Sequence, residues 1–218
     1  MAAAAAFGVL AGLVASGATT GLDQWAVDHA MPLAGRPLPP PTALESLVPL
    51  LHVPFHPLGV AVAQVVTLPA QVVFSLLLVL AAAWRLWTSG RREAAVCWIA
   101  AWPAAVAVEL VFRHTLTRPP LYRHGVHVVG FDMSWPSGHA LRCSLVAAAL
   151  AVAWPRLRVP LGIWLAAAVV LLELAGFHTP TDLVGGLLLA TVAVAGAVWL
   201  ERSGLRRGAA LRRPRPGG

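Results

Sequence analysis

Apolar residues fall in long unbroken runs rather than in one-sided stripes. Six runs stand out, at approximately 3–20, 58–83, 94–112, 137–154, 159–176 and 181–200. Each is long enough to cross about 30 Å of hydrocarbon at about 1.5 Å per helical residue. The pattern predicts an all-α, polytopic membrane bundle of about six transmembrane helices, forming one domain over 1–200, followed by a basic tail over 201–218. The first run has no basic residues ahead of it, since the first arginine is Arg36, so it reads as a retained anchor and not a cleaved signal. Segment 21–57 is proline-rich, with an amphipathic patch from Leu22 to Met31. It predicts an irregular surface loop carrying an interfacial helix.

Composition supports the membrane assignment. The chain is 58% hydrophobic and 11% charged, about half the charged fraction of a soluble domain. The net charge of +7 comes from 16 basic residues, all arginine. Their placement points to membrane topology and away from a nucleic-acid partner. Arg85, Arg91 and Arg92 follow the second run, Arg156 and Arg158 the fourth, and Arg202, Arg206, Arg207, Arg212, Arg213 and Arg215 the sixth. Those ends are predicted to be cytoplasmic, in a bacterial inner or plasma membrane. Trp84, Trp87, Trp154 and Trp199 fall near the same boundary, and the tail reads as a topology signal and anionic-lipid anchor. Cys97 and Cys143 lie inside apolar runs and read as small buried side chains without a disulfide.

The other face carries the chemistry. Pro136, Ser137, Gly138 and His139 open the fourth run, where a helix start aims backbone N–H groups, a hydroxyl and an imidazole at one point. Such a point suits an anion, phosphate above all. His178 returns to the same face one hairpin later, with Asp182 four residues on. Arg113 and Arg118 lie on this face, and Arg142 lies one turn into the fourth run. Two histidines, a carboxylate and arginines suggest phosphoryl transfer at a membrane surface. Glu109 has the spacing to pair with Arg113 at i+4, and Glu173 is expected opposite Arg142 across the hairpin. Arg123, His124 and His127 read as a solvated loop, and His29, His52 and His56 show no partner pattern.

The stretch from Arg113 to Asp182 resembles the type 2 phosphatidic acid phosphatase superfamily, which includes bacterial lipid-pyrophosphate phosphatases and vanadium haloperoxidases. The family's P-S-G-H motif is intact as Pro136-Ser137-Gly138-His139, and its H-x3-D element is His178 to Asp182. Arg118-Pro119 match the R-P of the family's first motif. Val111 then stands at the motif's lysine, unless Arg113 takes that place in a shorter register. Leu171 and Leu172 stand where the family has Ser-Arg. The resemblance implies a phosphatidic acid phosphatase/haloperoxidase-like core over roughly 90–200. It further implies a metal-independent histidine phosphatase that needs no cofactor.

In that scheme His178 is the nucleophile and forms a phosphohistidine. Asp182 fixes its tautomer, and His139 is the general acid and then the base. Arg113, Arg118, Ser137 and Gly138 bind the phosphate, and Arg142, by its i+3 spacing from His139, is expected to supply the guanidinium absent at Leu172. The expected substrate is a phosphate monoester or pyrophosphate of a membrane lipid, polyprenyl or glycerolipid, met on the extracytoplasmic side of the cell envelope. The alternative is a non-hydrolytic lipid-phosphate binder or carrier that has lost part of the clamp. A soluble-substrate phosphatase or haloperoxidase-like oxidase fits less well, because the outer loops are short.

Overall fold

A computed structural model describes residues 1–34 and 58–211, with side chains as far as Ser203 and without that of Leu58. Arg36, His52, His56, Arg212, Arg213 and Arg215 lie outside the described residues, as do the side chains of Arg206 and Arg207. Eight α-helices are present among the described residues: α1 Ala2–Ala15, α2 Thr20–His29, α3 Leu58–Thr67, α4 Val72–Thr88, α5 Arg92–Thr115, α6 Gly138–Ala153, α7 Arg158–Leu174 and α8 Pro180–Leu211. A two-stranded antiparallel hairpin, Tyr122–Arg123 with Val126–His127, interrupts them.

The class is the expected one, and the chain has the helices of an integral membrane protein, but six straight spans are not what forms. Three helices are long and apolar enough to cross a membrane: Arg92–Thr115, Pro155–Leu174 and Pro180–Ser203. Two more candidates are bent pairs. The chain turns by 79° where the first run, α1, gives way to α2, and the second run bends by 44° between α3 and α4. The second bend follows from Pro69, which has no N–H to donate and sits in a 3-10 turn over Leu68–Ala70. The fourth run makes only the 16-residue α6, about 24 Å long at about 1.5 Å per residue. Its apolarity serves protein packing more than lipid contact: nine of its residues are buried.

Helix α6 sits at the centre, against α4, α7 and α8, while α5 packs between α4 and α8. The main core gathers Phe7, Leu86, Trp98, Trp102, Trp135, Leu141 and Leu145. Many large apolar side chains face outward, among them Val65, Leu77, Val111, Val159 and Ile163, as a lipid-facing surface requires. Trp84, Trp87 and Trp199 are exposed at the end of the bundle away from the start of α6. Helix α2 forms where the amphipathic patch predicted one, with Leu22 and Trp25 exposed and Asp23, Ala26 and Val27 buried. Helix α8 continues past residue 200 to Leu211 without a break. Cys97 and Cys143 are both free thiols.

Candidate active site

The start of α6 is fixed by its neighbours. Ser137 caps the helix, its Oγ accepting from the Ala140 N–H at 3.2 Å. The Ser137 N–H donates to the Asp182 carbonyl at 2.9 Å, joining α6 to the first turn of α8. Trp135 stacks on Phe7 at 5.1 Å and donates from Nε1 to the Thr181 carbonyl at 3.1 Å. On α8, a Cβ at Gly186 would overlap the Ser137 carbonyl, so only glycine permits this approach. Gly138 makes room for a contact the sequence did not reveal: a Cβ there would overlap the Glu109 carboxylate, which would have to shift. The backbone approach made possible by Gly138 is to a protein carboxylate.

The two histidines meet as expected. The rings of His139 and His178 lie 5.7 Å apart between centroids, tilted by 53°. Both line a cavity of about 410 Å³ with Gln64, Thr67, Gln71, Arg113 and Ser134 among its walls. His178 is buried and His139 half-buried. Among the described residues four buried side-chain polar atoms lack a hydrogen-bond partner. Three of them, Gln64 Oε1, Arg113 Nε and His178 Nδ1, belong to residues lining this cavity. Buried polar atoms are nearly always satisfied, so these three leave donors and acceptors of the cavity wall open to water or a polar ligand.

Asp182 stands beside His178, but their contact is loose. His178 Nδ1 lies 3.7 Å from Asp182 Oδ2, longer than a hydrogen bond. That oxygen instead accepts from Ser134 Oγ at 2.6 Å and from the Thr179 N–H at 3.0 Å. Its twin, Oδ1, accepts from Arg118 Nη1 at 2.8 Å. The other arm of Arg118 donates to Asp23 Oδ2 at 2.6 Å. Asp23 in turn accepts from the Thr181 hydroxyl at 2.6 Å and the Thr181 N–H at 3.2 Å. Arg118 is thus a buried bridge between two carboxylates and does not line the cavity.

Arg142 also departs from expectation. Its Nη1 donates to Glu109 Oε2 at 2.7 Å and its Nε to the Ala70 carbonyl at 2.6 Å, both buried. The guanidinium is spent on the α5 carboxylate and on the broken turn before α4, and it does not line the cavity. The expected pairs Glu109–Arg113 and Glu173–Arg142 therefore give way to Glu109–Arg142. Glu109 meets the start of α6, where Gly138 and Arg142 lie against its carboxylate, and Arg113, one turn further along α5, lines the cavity. Among the described residues Arg113 is the one arginine lining the cavity.

Arg123 is not a solvated loop residue. It donates to the Val27 and Met31 carbonyls and anchors the hairpin on the C-terminal end of α2. His127 pairs with Asp132 at 2.9 Å on the surface, and neither lines the cavity. Among the described residues no group of three or more His, Cys, Asp or Glu side chains is gathered to hold a metal ion. The sequence reading missed Asp23, Ser134, Gln64 and Gln71. The signal for the glutamines was available, since two amides flanking a proline inside an apolar run need a polar destination. The chain matches no protein-family model, no characterised protein and no solved structure to which it was compared.

Proposed function

We propose that the protein is an integral-membrane, metal-independent histidine phosphatase that hydrolyses a phosphate carried on a membrane lipid. The observation that carries this reading is the facing pair His139 and His178 in a cavity that also holds three unsatisfied polar atoms. The motifs Pro136 to His139 and His178 to Asp182, which resemble those of the type 2 phosphatidic acid phosphatases, supply the roles.

His178 attacks phosphorus through Nε2, since Nδ1 is the nitrogen turned toward Asp182. The N–P bond forms as the P–O bond to the lipid breaks, and His139 gives its proton to the departing oxygen. Water then attacks the phosphohistidine, His139 takes the water's proton, and the N–P bond breaks to release phosphate. Arg113 holds the equatorial oxygens with its free Nε–H. Asp23, Arg118 and Asp182 act behind His178, steadying it as it becomes cationic or phosphorylated. Arg142 and Gly138 shape the wall through Glu109.

The test is phosphate release from lipid phosphates in detergent with chelator present. Wild type is expected to turn over. His178→Ala is expected to be inactive, and His139→Gln to lose about 10²–10⁴-fold in kcat with KM little changed. Full activity in His178→Ala would overturn the reading. The second reading, a lipid-phosphate binder without hydrolysis, draws on Leu171 and Leu172 and on the commitment of Arg118 and Arg142 to carboxylates. It predicts lipid-phosphate binding without phosphate release, unaffected by loss of either imidazole.

A further inference from the structure

The broken helix opposite the histidines has no role in the chemistry above, yet it is carefully held. The Val66 and Ala70 carbonyls, on either side of Pro69, are taken by Trp164 Nε1 at 2.9 Å and Arg142 Nε at 2.6 Å. Irregular backbone at membrane depth persists where it is buried in protein or lines a polar cavity. Here it turns Gln64, Thr67 and Gln71 into the cavity wall. Gln64 Oε1 is buried and unpartnered. Gln71 occupies the N-cap of α4 without making a cap hydrogen bond. Serine, threonine, aspartate or asparagine would normally fill that position to satisfy the helix. Among the described residues the Gln71 amide makes no hydrogen bond, so its polar end faces the cavity unengaged.

We infer that Gln64 and Gln71 form a headgroup subsite, and that the substrate is a lipid whose scissile phosphate sits on a hydroxyl-bearing headgroup, a polyol or a sugar. The inference rests on the phosphatase reading and narrows it. Charge argues for it. Among the described residues only one guanidinium, that of Arg113, lines the cavity, and Arg118 and Arg142 are already neutralised by carboxylates. A pyrophosphate would bring a second anionic group to a wall of uncharged amides. A hydroxyl brings what a carboxamide pairs with, a donor and an acceptor together. The cavity of about 410 Å³ also exceeds what a lone phosphate fills and lies within the range of about 300–1,000 Å³ of small-molecule sites.

The experiment compares kcat/KM for phosphatidylglycerol phosphate, phosphatidate of matched acyl chains and a polyprenyl pyrophosphate in the same mixed micelles. Wild type is expected to prefer the glycerol headgroup by at least about tenfold, the scale of one hydrogen bond made only with the hydroxylated substrate. Gln64→Leu and Gln71→Leu, assayed separately, are each expected to bring that ratio toward one. The glycerol-headgroup value should fall further than the phosphatidate value. Val65→Leu, on the exposed side of the same helix, should keep the wild-type ratio and serves as the folding control. Equal wild-type rates on all three lipids, or glutamine variants that lower every substrate alike, would overturn the subsite and leave the phosphatase intact. Absence of hydrolysis on any lipid phosphate would remove the phosphatase reading and the subsite with it.

Discussion

Replacing Glu109 by Gln keeps the shape of the side chain and removes its charge, leaving the Arg142 guanidinium buried without its counter-ion. The pair is close, 2.7 Å between Nη1 and Oε2, with side-chain exposures of 8% and 1%, so water cannot substitute for the carboxylate. With charge centres about 4 Å apart and an effective dielectric of about 20, the lost attraction is about 4 kcal/mol. That agrees with the roughly 3–5 kcal/mol lost when one partner of a buried ion pair is removed. At roughly 2–4 °C per kcal/mol for a chain of this size, the thermal midpoint in detergent should fall by about 6–20 °C. The double variant Glu109→Gln/Arg142→Met removes both charges and should recover much of the loss, although the Ala70 carbonyl then lacks its donor. The assay is thermal unfolding of purified single and double variants, read as a double-mutant cycle. A Glu109→Gln midpoint equal to wild type, or a double variant no more stable than the single, would refute the assignment of Arg142 to a structural pair.

Two further perturbations probe the framework behind the histidines. Asp23→Asn weakens the hold of α2 on Arg118 and Thr181. Charged hydrogen bonds of this kind are worth about 1.5–3 kcal/mol, so unfolding should show a loss of that order and kcat should fall with little change in KM. An Asp23→Asn enzyme with wild-type kcat would disconnect α2 from the site. Gly138→Ala drives a methyl into the Glu109 carboxylate. It should cost about 1–3 kcal/mol or more by overpacking, measured as a lowered thermal midpoint, whereas alanine at Gly130, where a Cβ meets nothing within 4 Å, should leave the midpoint unchanged.

Much of the helical framework was legible because long apolar runs need no partner to be recognised. The runs at 94–112, 159–176 and 181–200 correspond to α5, α7 and α8. What hydropathy could not encode was direction. The second run stays apolar through its 44° bend, and α6 is apolar because it is buried in protein. The histidine pair was legible from topology, since a helical hairpin, α6 followed by α7, returns His178 to the level of His139. The arginine partners were not. Arg118 meets Asp182 and Asp23 across 64 and 95 residues, and Arg142 meets Glu109 across 33. Such pairings depend on how each helix is rotated about its axis, which local spacing does not determine. Local spacing favoured Glu109–Arg113, and the crossing of α5 with α6 prevailed.

The central claim is that His178 carries the phosphoryl group between lipid and water. Rapid acid-free quenching of the protein with a lipid phosphate labelled in its terminal phosphate tests it most directly. The account predicts a covalent label that is stable in base, labile in acid, maps to His178 and is absent from His178→Ala. Turnover by wild type with no trapped label, or a label that persists in His178→Ala, would contradict it.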